Sequence, residues 1–366
     1  MARHYLDHAS TSPLRPAARA AVIEALDATG DPGRIHAEGL AARVAVEQAR
    51  EQVATGLGAR PRSVVFTSGA TEAIAAACWG AAERGRHQVL AAVEHSAVRL
   101  AAEVYAEVTV VGVDDRGRVD PAELLDAVRD DTAVVHLQWG NHEVGTRQPV
   151  ADVVAACRER GVLVHVDAAQ AAGHEAIAFD DLGADLLSVS AHKLGGPAGV
   201  GALLVRRGLR VRPLLLGGDQ ERARRAGLEP VASIAGFGAA LETIDVDTEA
   251  AEQRRLTDRL LAGVAAIDGV HVYGDPHDRL PHLVCLGIDG IEPQAVLLGL
   301  DRAGIAAHSG SACSSEALEP SPVLEAMGVD AHRSLRLSVG WTTTDDDITA
   351  ALDALPPILD HLRHLR

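Results

Sequence analysis

The 366-residue chain is 47% hydrophobic and 23% charged, enough apolar content for a large core and more than one domain. Its 34 basic and 51 acidic residues leave a net charge of −17, which argues against a general role in holding DNA, RNA or anionic membrane. The N-terminus has no apolar signal core and no stretch approaches the length of a membrane span, so a cytoplasmic protein without a membrane partner is expected.

From about residue 60 to 206, short β-rich runs alternate with helical patterns. SVVFTSG precedes TEAIAAACWGAAERG, HQVLAAV precedes HSAVRLAAEVYAE, and TAVVHLQW precedes PVADVVAACRERG; VLVHVDAAQ, DLLSVSAHK and GVGALLVR follow. Continuous apolar runs separated by helices imply an α/β domain whose parallel or mixed sheet is covered on both faces. SGAT, EHSA, NHEVG, DAAQ and SAHK each stand just after a strand candidate, at the carboxyl ends where such sheets collect ligands. Beyond about residue 246, the periodic segment TEAAEQRRLTDRLLAGVAAI opens a second unit. It includes HLVCLGI, EPQAVLLGLDRAGI and SLRLSVG and closes with a helix rich in Asp and Leu, a pattern expected of a smaller α+β domain.

Within SVSAHKLGGP stands Lys193, the only lysine among 34 basic residues. Guanidinium serves wherever positive charge alone is needed, whereas an unprotonated amine can form a Schiff base with a carbonyl cofactor such as pyridoxal phosphate (PLP). Ser190 and His192 offer donors to a phosphate, and Gly195, Gly196 and Gly199 let the backbone turn tightly. Asp167, ending the run VLVHVD, is placed to keep a pyridine nitrogen protonated; read alone it is more often a turn or cap residue. SGATEA, at a helix start, is an anion site by its free N–H groups and dipole, or an ordinary cap. His95 can stack on a planar cofactor and shuttle protons, although a satisfied, partly buried histidine is the commoner case. No GxxxxGK is present, so a nucleotide is the weaker expectation. The cysteines, Cys78, Cys157, Cys285 and Cys313, show no CxxC spacing and signal neither disulfides nor a metal site. Cys313 lies among small residues in SGSACSS, whereas the others lie in apolar helix or strand patterns that suggest burial.

Together YLDHASTSP, VVFTSGATE, EHSAV, NHEVG, HVDAAQ, SVSAHKLGGPAGVGALLVRR, GGDQER, HSGSACSS and SLRLSVG resemble, in this order, the PLP-dependent cysteine desulfurases of the class V aminotransferases, in the group with a short cysteine loop. The resemblance runs nearly end to end. It implies a PLP-dependent transferase of fold type I: a large domain at 15–248 with a mainly parallel seven-stranded sheet, and a smaller α+β domain made of 1–14 and 249–366 that carries the cysteine loop. By the same resemblance Lys193 looks like the Schiff-base lysine, Asp167 the pyridinium partner, Gln170 the donor to the cofactor's ring oxygen and His95 the stacking acid/base. Ala70, Thr71, Ser190 and His192 look like the phosphate cradle. Asn141 and Arg336 would hold the substrate carboxylate, and Cys313 would be the persulfide nucleophile. The implied activity takes L-cysteine to L-alanine in a homodimer. The sulfur passes to an acceptor protein: an iron–sulfur scaffold, a sulfur carrier or a tRNA-thiolation enzyme.

Four positions depart from that pattern. Leu228 stands for a threonine that reaches the phosphate of the partner subunit's cofactor, Asp31 for an asparagine near His36, Ala191 for the glycine before His192, and His142 for an asparagine beside Asn141. The last helix is followed closely by HLRHLR, so the longer tail by which some relatives dock a scaffold is expected to be absent. A PLP-dependent C–S or C–Se lyase, such as selenocysteine lyase, is the alternative within the class. A catalytically weak PLP protein kept for binding a partner is the alternative outside it.

Overall fold

The computed structural model describes residues 3–310 and 320–365. After β1 (His4–Tyr5), helices α1 (Pro16–Leu26) and α2 (Ala37–Gly56) lead into the main sheet. Its units are β2 (Val64–Thr67), α3 (Ala70–Ala81), β3 (His87–Ala91), α4 (Ser96–Tyr105), β4 (Glu107–Val111), α5 (Pro121–Asp126) and β5 (Thr132–Gln138). They continue through α6 (Val150–Arg160), β6 (Leu163–Asp167), α7 (Phe179–Leu182), β7 (Leu186–Ser190) and β8 (Gly201–Val205).

The seven strands are ordered β2-β8-β7-β6-β5-β3-β4. Neighbours from β7 to β4 are parallel, and β8 runs antiparallel between β7 and β2. Every residue of β2, β3, β5, β6, β7 and β8 is buried, as a sheet covered on both faces requires. Strand β4 differs from the helical pattern expected across 95–107. The helix stops at Tyr105, Ala106 is extended, and the β-branched run EVTVV forms a half-exposed edge strand.

The chain continues through α8 (Gln220–Ala223), α9 (Val231–Glu242), α10 (Val246–Val264), β9 (Val270–Tyr273), β10 (Leu283–Ile288) and α11 (Pro293–Arg302). Then come β11 (Ile305–Ala306), α12 (Pro322–Ala326), β12 (Ser334–Ser338) and α13 (Asp345–His364). Helix α9 packs on α1 and α2. Strands β12-β10-β9 form an antiparallel sheet, and β1 pairs in parallel with β11.

One core lies around the main sheet, and a second joins Leu6 to Leu256, Leu260, Val284, Leu335, Leu337 and Leu355. The two interlock, because Leu280, Cys285, Val323 and Leu324 belong to the first core although they come late in the chain. Among the described residues, no helix is long and apolar enough to cross a membrane.

Candidate active site

A cavity of about 510 Å³ opens where the main sheet's strands end. Its walls bring together Ala70, Thr71, His95, Asp167, Gln170, Ser190, His192, Lys193 and Arg336. Strand order explains the convergence. Asp167 and Ser190 end the adjacent parallel strands β6 and β7, and β8 returns from the far side so that Ser190 pairs with Gly201. Lys193 sits in the link between β7 and β8, on a 3₁₀ turn over Ala191–Lys193.

The Lys193 ammonium group donates to the carbonyl of Ala9, 184 residues away in sequence. Burial, reinforced by the Arg336 cation, lowers its pKa to about 8, against the opposing pull of Asp7 and Asp167. A larger share of the amine is therefore uncharged near neutrality than in an ordinary lysine.

Opposite stands the N-terminus of α3. Gly69 precedes the helix at φ 153°, a conformation open to glycine, and Ser68, Gly69, Ala70 and Thr71 line the cavity with Ser190 and His192. A methyl group on Gly201 would meet the Cα of Gly69 at 2.7 Å and press on the Val189 carbonyl. That glycine lets the helix start lie flat against β8. Exposed backbone N–H groups, hydroxyls and the positive end of a twelve-residue helix suit a phosphate.

Asp167 Oδ1 accepts the backbone N–H of Ala169 at 3.0 Å, and Ser188 Oγ lies 3.3 Å away. Burial raises its pKa above the ordinary carboxyl range. Gln170 donates to Ala9 O at 2.9 Å, while its oxygen faces His282 Nε2 at 3.2 Å. His95 caps α4, its Nδ1 accepting from Ala97 N at 3.0 Å, and packs edge-on to His142 with ring centroids 5.0 Å apart. Burial, with His142 and Lys193 adding, lowers the His95 pKa to about 3, so the ring is neutral.

Arg336, on β12, donates to His142 O at 2.9 Å, Asp7 Oδ1 at 3.0 Å and Ser10 Oγ at 2.7 Å, and its buried Nε has no partner among the described residues. Asn141 is placed otherwise than expected. Its oxygen accepts the N–H groups of Glu143 and Val144, both at 2.8 Å, and its nitrogen donates to Val93 O at 3.2 Å. The amide holds the turn together and is fully buried; Gly140 and His142 on either side line the cavity, and Asn141 does not.

Sequence patterns did not point to Ala9, Ser10, Gln138 or His308, all in the cavity wall. Ser10 and His308 come from distant ends of the chain, brought in by the β1–β11 pair and by the bridge from His308 to Arg336. Behind the wall residue Gln138, Glu94 accepts its N–H at 2.8 Å, and burial and Asp167 push the Glu94 pKa up to about 8.

Cys78, Cys157 and Cys285 are buried, and burial pushes the first two thiols to about 12 and 11 and the third higher still. Cys313 lies outside the described residues. Leu228, a departure from the expected pattern, is exposed, and Asp31 accepts the Gly33 N–H at 2.8 Å beside the α2 cap His36.

This donor set fits PLP: a depressed lysine amine, a buried carboxyl, a neutral stacking-type histidine and an anion cradle face one space of suitable size.

Residues 4–351 match the family Aminotransferase class-V. The chain belongs to that family. The chain is 39% identical to "Cysteine desulfurase IscS" of Dictyoglomus turgidum, over 98% of its own length and 95% of the relative's. It is 41% identical to "Cysteine desulfurase" of Gluconacetobacter diazotrophicus, over 99% and 94%. Among solved structures it superposes on a NifS-like protein with TM-score 0.91 at 32% identity, covering 98% of this chain and 100% of that one. "SspA in complex with cysteine" matches with TM-score 0.82 at 28% identity, covering 93% and 100%.

Proposed function

We propose that this class V aminotransferase is a PLP-dependent cysteine desulfurase. The observation that carries the reading is the meeting of Lys193, Asp167 and the α3 N-terminus in one cavity. It is reinforced by near full-length similarity to proteins named cysteine desulfurase, which favours this activity over a lyase.

When bound, PLP would supply an electron sink for the bonds at the substrate's Cα. Lys193 would anchor the cofactor, and its freed amine would take up and return the Cα proton. Asp167 would face the ring nitrogen, Gln170 the ring oxygen and His95 one ring face. Ala70, Thr71, Ser190 and His192 would hold the phosphate. Arg336 would take the substrate carboxylate by its guanidinium fork, with Asn141 acting through the turn it shapes rather than by contact.

Cys313 would accept the sulfur. L-cysteine and the Cys313 thiol become L-alanine and a Cys313 persulfide; the substrate C–S bond breaks, an S–S bond forms, and the alanine takes up the proton. The segment 311–319 is bounded on both sides by anchors near the cavity. His308 lines the wall, and Ser321 donates to Glu143 at 2.5 Å. The acceptor is a sulfur-handling protein, the enzyme works as a homodimer, and its units are 15–248 and 1–14 with 249–366.

The test is alanine formation from L-cysteine by the PLP-loaded protein and by Cys313→Ala. Alanine produced by the wild type and lost in the variant supports persulfide transfer. Alanine surviving in the variant would establish a lyase, and none in either would overturn the assignment.

A further inference from the structure

Behind the cavity, polar side chains cross four strands inside an otherwise apolar sheet. Gln88 on β3 donates to the Cys78 carbonyl of α3 at 3.0 Å and presents its oxygen to His136 Nε2 on β5 at 2.9 Å. His136 Nδ1 meets His165 Nδ1 on β6 at 2.9 Å. His165 Nε2 lies 3.2 Å from Ser188 Oγ on β7, and that oxygen lies 3.3 Å from Asp167 Oδ1. Strand register makes the row: His136 pairs directly with His165 and Asp167 with Ser188, while His165 and Asp167, two apart on one strand, share a face. Gln88, His136, His165 and Ser188 have no solvent exposure.

The row has a direction. The carbonyl of Cys78 accepts from the Gln88 nitrogen, so the Gln88 oxygen faces His136 and can only accept; His136 therefore carries its proton on Nε2. A neutral His136 then offers a lone pair at Nδ1, and His165 donates to it from Nδ1. A neutral His165 is left with a lone pair at Nε2, which takes the Ser188 hydroxyl proton. With its proton given to His165, the Ser188 oxygen turns lone pairs toward Asp167; facing a carboxylate, the same hydroxyl would instead donate to Oδ1 and lower the Asp167 pKa.

Four contacts need four protons: Gln88–His136, His136–His165, His165–Ser188 and Ser188–Asp167. Two neutral imidazoles and one hydroxyl bring three. Closing the long Ser188–Asp167 contact, 3.3 Å, as a hydrogen bond takes the fourth from Asp167 as its acid or from a charged imidazole within the sheet. Burial disfavours the second, holding His136 at about 3 and His165 well below its ordinary value, and raises Asp167.

We propose that the row Gln88–His136–His165–Ser188 is a polarised hydrogen-bond chain that holds Asp167 in its acid form before the cofactor arrives, with His136 and His165 as positioning residues. A ring nitrogen bound beside Asp167 would then face a carboxylic acid able to supply its proton. The other ionisable groups facing Asp167 are His142 and Lys193, whose charges favour the carboxylate, and Glu94. The bearing on catalysis rests on Asp167 facing a ring nitrogen, as proposed above.

The full-length protein without cofactor provides the first test. Nitrogen NMR with ring-labelled histidine, assigned by signals lost in His136→Leu and His165→Leu, is expected to show His136 neutral and protonated at Nε2, and His165 neutral and protonated at Nδ1. His165 protonated at Nε2, or either ring charged at pH 7, overturns the proposal. The double variant Gln88→Leu, His136→Leu removes both partners at the far end and leaves an apolar pair. His165 can then protonate Nε2, and Ser188 can turn its hydroxyl to the carboxylate.

The Asp167 midpoint, followed by infrared difference spectra against Asp167→Asn, should fall by about one to two pH units, the worth of one hydrogen bond to a charged group. An unchanged midpoint in a folded double variant refutes the chain. PLP-loaded protein should show a matching shift in the pH titration of its visible absorbance. Both cofactor-free measurements stand apart from desulfurase activity, so failure here and failure of the functional assignment are distinguishable.

Discussion

The depressed pKa of Lys193 makes cofactor capture a sharp function of pH. With a pKa of about 8, roughly one amine in ten is uncharged at pH 7, whereas an ordinary lysine near 10.5 has about one in three thousand, a difference of roughly 300-fold. Only the uncharged amine attacks a carbonyl. The sign follows: the folded pKa is lowered, so the reactive form grows with pH below about 8 and saturates above it. The rate constant for PLP reloading, followed by stopped-flow absorbance, should rise about tenfold per pH unit up to a break near 8 and then level off. Arg336→Gln removes a cation that lowers the pKa and should move the break upward; Asp7→Asn removes an anion that raises it and should move the break downward. A log-linear rise continuing to pH 10, or breaks moving the same way in both variants, would refute the assignment of burial and Arg336 as the causes.

Two further outcomes concern the scaffold. The buried pair of Arg50 and Glu221, with Nη–Oε contacts of 2.7 and 2.8 Å, also ties the Phe66 N–H and the Val64 carbonyl to the left-handed segment Glu221–Ala223. Glu221→Leu should cost about 3–5 kcal/mol in denaturant unfolding by leaving a buried guanidinium with only the half-buried Glu47 as its counter-ion, and adding Arg50→Met should recover much of it; an additive double loss would contradict this. Gly201→Ala should lower stability by about 1–3 kcal/mol and weaken PLP affinity together, because relief of the clash pushes the α3 start away from β8. Unaltered affinity with lost stability would separate the helix start from phosphate binding.

Local sequence carried much of this architecture because its informative features are local. The apolar runs of β3, β5, β6, β7 and β8 are continuous, and the polar clusters SGAT, DAAQ and SAHK stand directly after strands. Strand β4 escaped because EVTVV follows a helical pattern without a break residue and lies at a half-exposed edge, where no continuous apolar run marks it. The row through His136 and His165 carries no signal in the sequence, since cross-strand register is invisible to a one-dimensional pattern. Asn141 stands in the motif position expected of a substrate ligand, yet its amide is spent on the backbone of its own turn. Ala9, Ser10 and His308 reach the cavity through pairings that span most of the chain, and no local signal marks them.

Those pairings also set a timetable for biosynthesis. Asp7 and Ser10 engage Arg336, which follows Asp7 by 329 residues, and Ala9 receives the lysine amine. At about 5–20 residues per second a ribosome takes roughly 15–65 s to add that stretch. From the addition of Lys193 until Arg336 follows, the nascent chain can carry Lys193, Asp167 and the α3 cradle without the guanidinium that helps to keep the amine uncharged. An incomplete polypeptide is therefore a poor scavenger of aldehydes in the cell, and the lysine gains its full reactivity only once both ends of the chain have met.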